Sequence, residues 1–124
     1  IAELNQLKSL GIKNLRIMAS FEGPDKEPWR VKPSLQLAPK EYDEKLLRGL
    51  DIFLHELGKR DMTAVLCLSN FFHWSGGMAQ YVSWANDEDI PYPDKKGSNW
   101  TIFQNYSASF FSNKKAMGYY RSFV

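Results

Sequence analysis

Residues 62–84, MTAVLCLSNFFHWSGGMAQYVSW, join an apolar run to a loop rich in aromatic residues. The apolar run at 62–68 has the length and the turn-bounded setting of a strand buried on both faces, although a short buried helix fits the same periodicity. Three aromatic residues follow in the loop: Phe71, Phe72 and Trp74. Exposed aromatic side chains are costly in water, so this loop either packs on the protein or contacts a ligand.

A second strand is predicted at 13–19, after a helix at 1–10 that Gly11 ends. One face of this strand is apolar and carries Leu15, Ile17 and Ala19. The other face carries Arg16 and Met18. A buried guanidinium needs a partner, whereas on an edge strand Arg16 would lie in solvent.

Two further helices are indicated by apolar residues at helical spacing. Asp43 caps the first and Gly58 ends it, and its stripe consists of Leu46, Leu47, Leu50, Phe53, Leu54 and Leu57. Ser112 or Asn113 caps the second, and its inner face consists of Ala116, Met117, Tyr120, Phe123 and Val124. Short helical pieces are predicted at 78–84 and 103–110, and His55 is expected on the surface.

The order helix, strand, helix, strand, helix predicts parallel strands joined by right-handed crossovers. The loops that follow the strands, 20–42 and 69–111, are long, whereas the turns that precede the strands are short. Ligands of parallel α/β proteins bind at the carboxyl ends of the strands, where these long loops lie. Two strands do not complete a sheet, so the predicted fold class is an incomplete α/β domain.

Composition excludes several classes of function. The 124 residues have the length of one domain, and their formal charge of +2 comes from 16 basic and 14 acidic residues spread along the chain. No basic block indicates a nucleic-acid partner, and no run approaches the roughly 18 apolar residues of a membrane span. No signal peptide is recognised within these residues. The single cysteine, Cys67, cannot form an internal disulfide.

The loop after the second strand favours a sugar as its ligand. An aromatic ring packs against the C–H face of a sugar, while Asn70 and Arg16 can donate hydrogen bonds to hydroxyls. The other common sites lack their motifs: Gly76 and Gly77 form no phosphate loop, His73 has no metal-ligand spacing, and Ser75 lacks the GxSxG context. Glu22 is interpreted as an ordinary loop residue, and no pair of carboxylates ends the two strands.

Three segments carry a family resemblance: LRIMASFEG at 15–23, residues 42–85, and IPYP at 90–93. They resemble the endo-β-1,4-mannanases of glycoside hydrolase family 5. The resemblance implies that residues 1–124 are the N-terminal part of one catalytic (β/α)8 TIM barrel, with strands two and three and their flanking helices, and no second domain. It implies a retaining enzyme without metal or organic cofactor that cleaves internal bonds of mannan, galactomannan or glucomannan, with both catalytic glutamates beyond Val124.

The same resemblance assigns roles to four residues. It implies that Arg16 supports the catalytic nucleophile, and that Asn70 and Trp74 bind substrate on the glycone side of the cleft. Phe72 belongs to the same substrate-binding set, although relatives often carry Trp there. The resemblance also implies a secreted, monomeric protein whose partner is β-mannan. Independently, two N-glycosylation patterns begin at Asn99 and Asn105.

Two other classes of protein fit parts of this pattern. One is a carbohydrate-binding protein on the same barrel that has lost catalysis, which an absent Asn-Glu pair after strand four would indicate. The other is an open-sheet α/β enzyme of unrelated chemistry, which the missing phosphate loop disfavours. We expect the isolated 124 residues neither to hydrolyse mannan nor to fold stably, and a cooperative thermal transition would contradict the expectation on folding.

Overall fold

The structure is a computed structural model that describes residues 1–24, 26–27 and 29–124. Its helices are α1 (Ala2–Ser9), α2 (Glu44–Gly58), α3 (Gly77–Asn86), α4 (Trp100–Ala108) and α5 (Lys114–Phe123). Its strands are β1 (Asn14–Met18), β2 (Gln36–Ala38), β3 (Glu41–Tyr42) and β4 (Thr63–Cys67). Two short 3-10 helices span His73–Ser75 and Ser109–Ser112.

Strands β1 and β4 form a parallel pair, with Arg16 opposite Val65 in the register. A parallel pair needs a crossover connection, and α2 lies within that connection. The predicted order of helix, strand, helix, strand, helix is confirmed, and so are the helical pieces after β4. The long loops after β1 and β4 therefore leave from the same edge of the sheet.

Only one face of this strand pair is covered in the part of the chain that the structure describes. Leu4 of α1 and Leu57 of α2 form a buried core with Met62, and residues of β1 and β4 pack against it. On the opposite face Val65 is 52% exposed. The prediction that 62–68 is buried on both faces is therefore wrong, because α1 and α2 lie on the same side.

A second core lies under the loop that follows β4. Tyr81 and Val82 of α3 pack against Phe110 and against Ala116 of α5. This cluster contains three residues of the predicted inner face of α5, namely Ala116, Met117 and Tyr120. Phe123 contacts Tyr42 instead, and Val124, beyond the end of the helix, is 71% exposed. Leu54 is likewise 37% exposed on the rim of the stripe predicted for α2.

The loop after β1 contains a hairpin that its proline-rich sequence did not predict. Strands β2 and β3 form a short antiparallel hairpin, and Glu22 makes an isolated bridge with Gln36. The long loop predicted at 20–42 therefore contains a short hairpin that the sequence did not predict. The hairpin brings the middle of this loop against the first residues that leave β1.

Asp43 caps α2 as predicted. Its Oδ1 accepts the backbone N–H groups of Lys45 at 2.8 Å and Leu46 at 3.4 Å. We expect Asp43→Ala to lower the free energy of unfolding of the intact protein by about 1 kcal/mol, because these amides lose their acceptor. Urea denaturation measures the loss. Asp51→Ala, an exposed change within the same helix, is the control, and equal losses would contradict the capping role.

Candidate functional site

The candidate site lies where the loops after β1 and β4 meet. Asn70, just beyond β4, shapes its own loop: its Oδ1 accepts the Phe72 N–H at 2.8 Å and also the Ser75 hydroxyl. Its side-chain nitrogen lies 3.8 Å from the Sδ of Met18, which is only a weak acceptor. The Asn70 side chain is therefore held at the end of the sheet, and its Nδ2 can still donate a hydrogen bond to a ligand. Sequence reasoning predicted the donor but missed the role in the loop.

Arg16 lies on the same face of the sheet as Met18, because alternate residues of a strand share a face. Its side chain is exposed and makes no hydrogen bond or ion pair with any described residue. Of the two sequence interpretations, the one with Arg16 exposed describes this chain. The structure thus places Arg16 and Asn70 on one face of the sheet, with the side chain of Arg16 exposed.

Phe72 is the exposed aromatic residue of the loop, and Trp74, which is partly buried, stacks on it. Their rings stack with centroids 6.0 Å apart and planes inclined by 14°, and Phe72 is 49% exposed. The ring of Phe21 contacts Trp74 at 6.4 Å, and the Trp74 carbonyl accepts the Val31 N–H at 3.0 Å. Trp74 is therefore partly buried and held by neighbours on its ring and on its backbone.

The other aromatic residues of this loop point into the protein. His73 contacts the rings of Trp29 at 4.9 Å and Trp100 at 5.4 Å, and Phe71 contacts Phe103 at 6.2 Å. Burial lowers the pKa of His73. Successive side chains of a 3-10 helix diverge by a third of a turn, so His73 and Trp74 face different sides. Phe71 therefore packs on α4 and is not part of the stacked pair formed by Phe72 and Trp74.

Glu22 is in a loop, as predicted, but its carboxylate is fully buried beneath the candidate site. Its Oε2 accepts the Gly77 N–H at 2.8 Å, and its Oε1 accepts the Ser20 hydroxyl at 3.2 Å. Gly76, the N-cap of α3, offers no side-chain acceptor, so the first amide of the helix depends on Glu22. A glycine pair at the start of a helix is the sequence signal for an acceptor supplied from elsewhere.

The Glu22 carboxylate belongs to a buried polar network. Gln36 of β2 donates from Nε2 to the Tyr81 hydroxyl at 2.6 Å and to Ser20 Oγ at 3.2 Å. Burial raises the pKa of Tyr81, so this phenol stays protonated. The network joins the loop after β1, the hairpin and α3 below the exposed residues of the site.

Burial raises the pKa of the Glu22 carboxyl from its ordinary value of 4.5 to about 7, against smaller opposing effects of hydrogen bonds and of Arg30. A raised carboxyl pKa gives a stability contribution that is complete below pH 4.5 and is lost as the pH rises to about 7. We expect Glu22→Gln to remove this loss, which amounts to about 3 kcal/mol.

Urea denaturation of the intact protein across this pH range measures the effect. Glu41→Gln, a change at an exposed carboxylate of β3, is the control and should keep the wild-type slope. An unchanged slope in Glu22→Gln would contradict the assignment to Glu22.

The described residues also limit other kinds of site. They contain no group of three or more His, Cys, Asp or Glu residues arranged to hold a metal ion. None of the helices found among them is long and apolar enough to cross a membrane. The absence of a cofactor stays a prediction.

Comparison with known proteins identifies the family. The model of the "GH family 5 beta-mannosidase-like" family matches residues 1–124. Mannan endo-1,4-beta-mannosidase 3 of Oryza sativa subsp. japonica is 32% identical over 124 residues, which are 100% of this chain and 22% of that protein. Mannan endo-1,4-beta-mannosidase 1 of Arabidopsis thaliana is 32% identical over 103 residues, 83% of this chain and 23% of that protein.

Solved structures agree with this result. The family 5 mannosidase of Rhizomucor miehei superposes with a TM-score of 0.84 at 40% identity, covering 94% of this chain and 28% of that one. A mutant of the same mannosidase in complex with mannosyl-fructose matches with a TM-score of 0.82 at 38% identity, covering 95% of this chain and 30% of that one. The chain belongs to the glycoside hydrolase family 5 mannosidase-like family and has the fold of part of its barrel. It spans about a fifth of the length of the curated relatives.

Proposed function

We propose that these residues form one wall of the substrate cleft of a retaining (β/α)8 barrel enzyme that cleaves internal β-1,4 bonds of mannan, galactomannan or glucomannan. The observation that carries the proposal is that Arg16 shares a face of the parallel strand pair with Met18, which Asn70 contacts, and that Asn70 and Trp74 lie in the loop at the carboxyl end of β4. The chain also matches the family along its whole length. Guanidinium, amide and indole together suit a ligand with hydroxyl groups and an apolar ring face.

Arg16 is proposed to act on the catalytic nucleophile. A guanidinium beside a carboxylate lowers the pKa of that carboxylate and keeps it ionised for attack on the sugar. A retaining enzyme needs two carboxyl groups about 5 to 5.5 Å apart, and we place both outside residues 1–124. Glu22 is a poor candidate for either role, because its carboxylate is buried under the loop. The chemistry needs no metal or organic cofactor.

Trp74 is proposed to bind a sugar ring, with Phe72 beside it. We expect Trp74→Ala to raise KM for short manno-oligosaccharides about tenfold in the intact enzyme, a loss of about 1.4 kcal/mol. The stacked contact disappears while Asn70 and Arg16 remain. Steady-state kinetics on mannotetraose measures the change. Phe111→Ala, at an aromatic residue that is 64% exposed beyond α4, is the control. Unchanged kinetics in Trp74→Ala would assign the indole to loop packing.

The proposed activity is tested with a galactomannan solution. Cleavage of internal bonds should lower the viscosity early, before many reducing ends are released. Release of mannose from chain ends without an early fall in viscosity would contradict the internal mode of cleavage. Binding of galactomannan without any new reducing end would favour the alternative function, a carbohydrate-binding protein on the same barrel.

We also propose that the protein is extracellular and monomeric. Its two N-glycosylation patterns begin at Asn99 and Asn105, both of which are exposed, so that a glycosyltransferase could reach them. Secretion from a eukaryotic host should therefore yield glycosylated protein whose mass falls after treatment with peptide N-glycosidase. Retention of the intact protein inside the host would contradict the proposed location.

A further inference from the structure

Two loops are fastened together beneath the candidate site. The backbone N–H of Glu22 donates to the Ser75 carbonyl at 2.9 Å, and its carboxylate accepts the Gly77 N–H at 2.8 Å. The main chain and the side chain of one residue thus hold the loop after β4 on both sides of Gly76. Asn70 and Trp74 belong to that loop.

Buried neighbours support the contact between Glu22 and the loop after β4. Arg30 is only 5% exposed, and its guanidinium donates to the Glu22 carbonyl and, at 3.4 Å, to Oε1 of Gln80 in α3. The Ser20 hydroxyl donates to Oε1 of the Glu22 carboxylate at 3.2 Å. The positive charge of Arg30 lowers the pKa of Glu22, and the negative charge of Glu22 raises the pKa of Tyr81. A buried residue with this many partners has one available position.

Gly76 and Gly77 have no space for a side chain. A Cβ on Gly76 would overlap the Glu22 carbonyl, and a Cβ on Gly77 would overlap the Asn70 carbonyl. The two loops therefore touch through their backbones, and Glu22 supplies the only side-chain carboxylate recorded at this contact in the described structure. Movement of Glu22 would move the first turn of α3 and the loop that precedes it.

We propose that Glu22 is a positioning residue for saccharide binding: by reaching from the loop after β1 to the first amide of α3, its carboxylate fixes the loop that presents Asn70 and Trp74. Its effect on sugar binding rests on the proposed function, whereas the fastening of the loop does not. The Glu22 side chain does not contact the sugar. Its length, rather than its charge, sets the contact with Gly77, and a preorganised loop binds with less loss of conformational entropy.

Two substitutions in the intact protein separate reach from charge. Glu22→Asp keeps an ionisable carboxyl group but withdraws it by one C–C bond, about 1.5 Å, which breaks the 2.8 Å contact with Gly77. Glu22→Gln cannot ionise but keeps an oxygen acceptor at the same distance. Glu41→Asp, a change at an exposed carboxylate of the neighbouring hairpin, is the matched control.

Amide hydrogen exchange of the peptide covering 70–77 gives a readout that does not depend on activity. We expect exchange in this peptide to be at least tenfold faster in Glu22→Asp and within threefold of wild type in Glu22→Gln and Glu41→Asp. In the intact enzyme, KM for mannotetraose should rise about tenfold in Glu22→Asp with kcat within threefold, and Glu22→Gln should restore KM.

An exchange rate in Glu22→Asp equal to that of wild type would overturn the proposal. Fast exchange in Glu22→Gln with slow exchange in Glu22→Asp would also overturn it, because the effect would then follow the charge of the side chain rather than its length. Fast exchange in Glu22→Asp with an unchanged KM would overturn the link between the loop and the sugar. A wild-type protein that leaves mannan intact would contradict the proposed function, while the exchange result would still decide the fastening.

Discussion

Gly76→Ala is expected to lower the free energy of unfolding of the intact protein by more than about 4 kcal/mol. Gly76 has φ of 90° and ψ of −72°, which a residue with a Cβ rarely adopts. An added Cβ would also overlap the Glu22 carbonyl oxygen and lie 2.6 Å from Nη2 of Arg30. Neither neighbour can retreat without breaking the buried hydrogen bonds that join the two loops.

Gly49→Ala is the matched control for this prediction. Gly49 lies within α2, and a Cβ there would meet nothing within 4 Å. Alanine favours a helix over glycine, so this variant should gain about 0.5 to 1 kcal/mol. Urea denaturation followed by circular dichroism measures both changes. A loss below about 1 kcal/mol in Gly76→Ala would contradict the tight contact between the loops.

Arg16→Lys is expected to lower kcat of the intact enzyme on mannan about 100-fold, with a small change in KM. Lysine keeps the positive charge but lacks the planar pair of donors that can hold a carboxylate oriented and ionised. A 100-fold loss corresponds to about 2.7 kcal/mol of transition-state stabilisation. Steady-state kinetics on soluble galactomannan gives kcat and KM separately.

Arg48→Lys, at an exposed arginine of α2, is the control for Arg16→Lys and should leave both constants unchanged. A wild-type kcat in Arg16→Lys would refute the role proposed for Arg16. A raised KM with unchanged kcat would instead make Arg16 a substrate-binding residue. The exposed position of Arg16 allows either lysine or arginine to be accommodated without loss of the fold.

Local chemistry explains which parts of the fold could be predicted. Asp43 and Asn113 cap α2 and α5 with their own side chains, so the signal for each helix start lies within a few residues. Alternation along 13–19 correctly separated Arg16 from the apolar face. The position of the long loops then followed from the parallel order of the strands, which the structure confirms. The candidate site was predicted at the end of the sheet from which both loops leave.

Contacts between distant segments explain what could not be predicted. Glu22 forms a β-bridge with Gln36, and its carboxylate accepts a hydrogen bond from the Gly77 N–H. Both partners are far from Glu22 in sequence, so no local pattern predicts that Glu22 is buried. The loop aromatics look alike in sequence, but Phe71 packs on Phe103, whereas Trp74 stacks on the exposed ring of Phe72. The exposed face of β4 was also missed, because composition does not reveal which face the helices cover.

These residues are proposed to form one wall of a mannan-degrading cleft. The most direct test is the turnover of β-1,4-mannohexaose and β-1,4-cellohexaose by the intact protein under the same conditions. We predict that mannohexaose is cut at internal bonds into shorter manno-oligosaccharides and that cellohexaose is cut far more slowly. Equal or faster cleavage of cellohexaose, or no cleavage of mannohexaose, would contradict the claim.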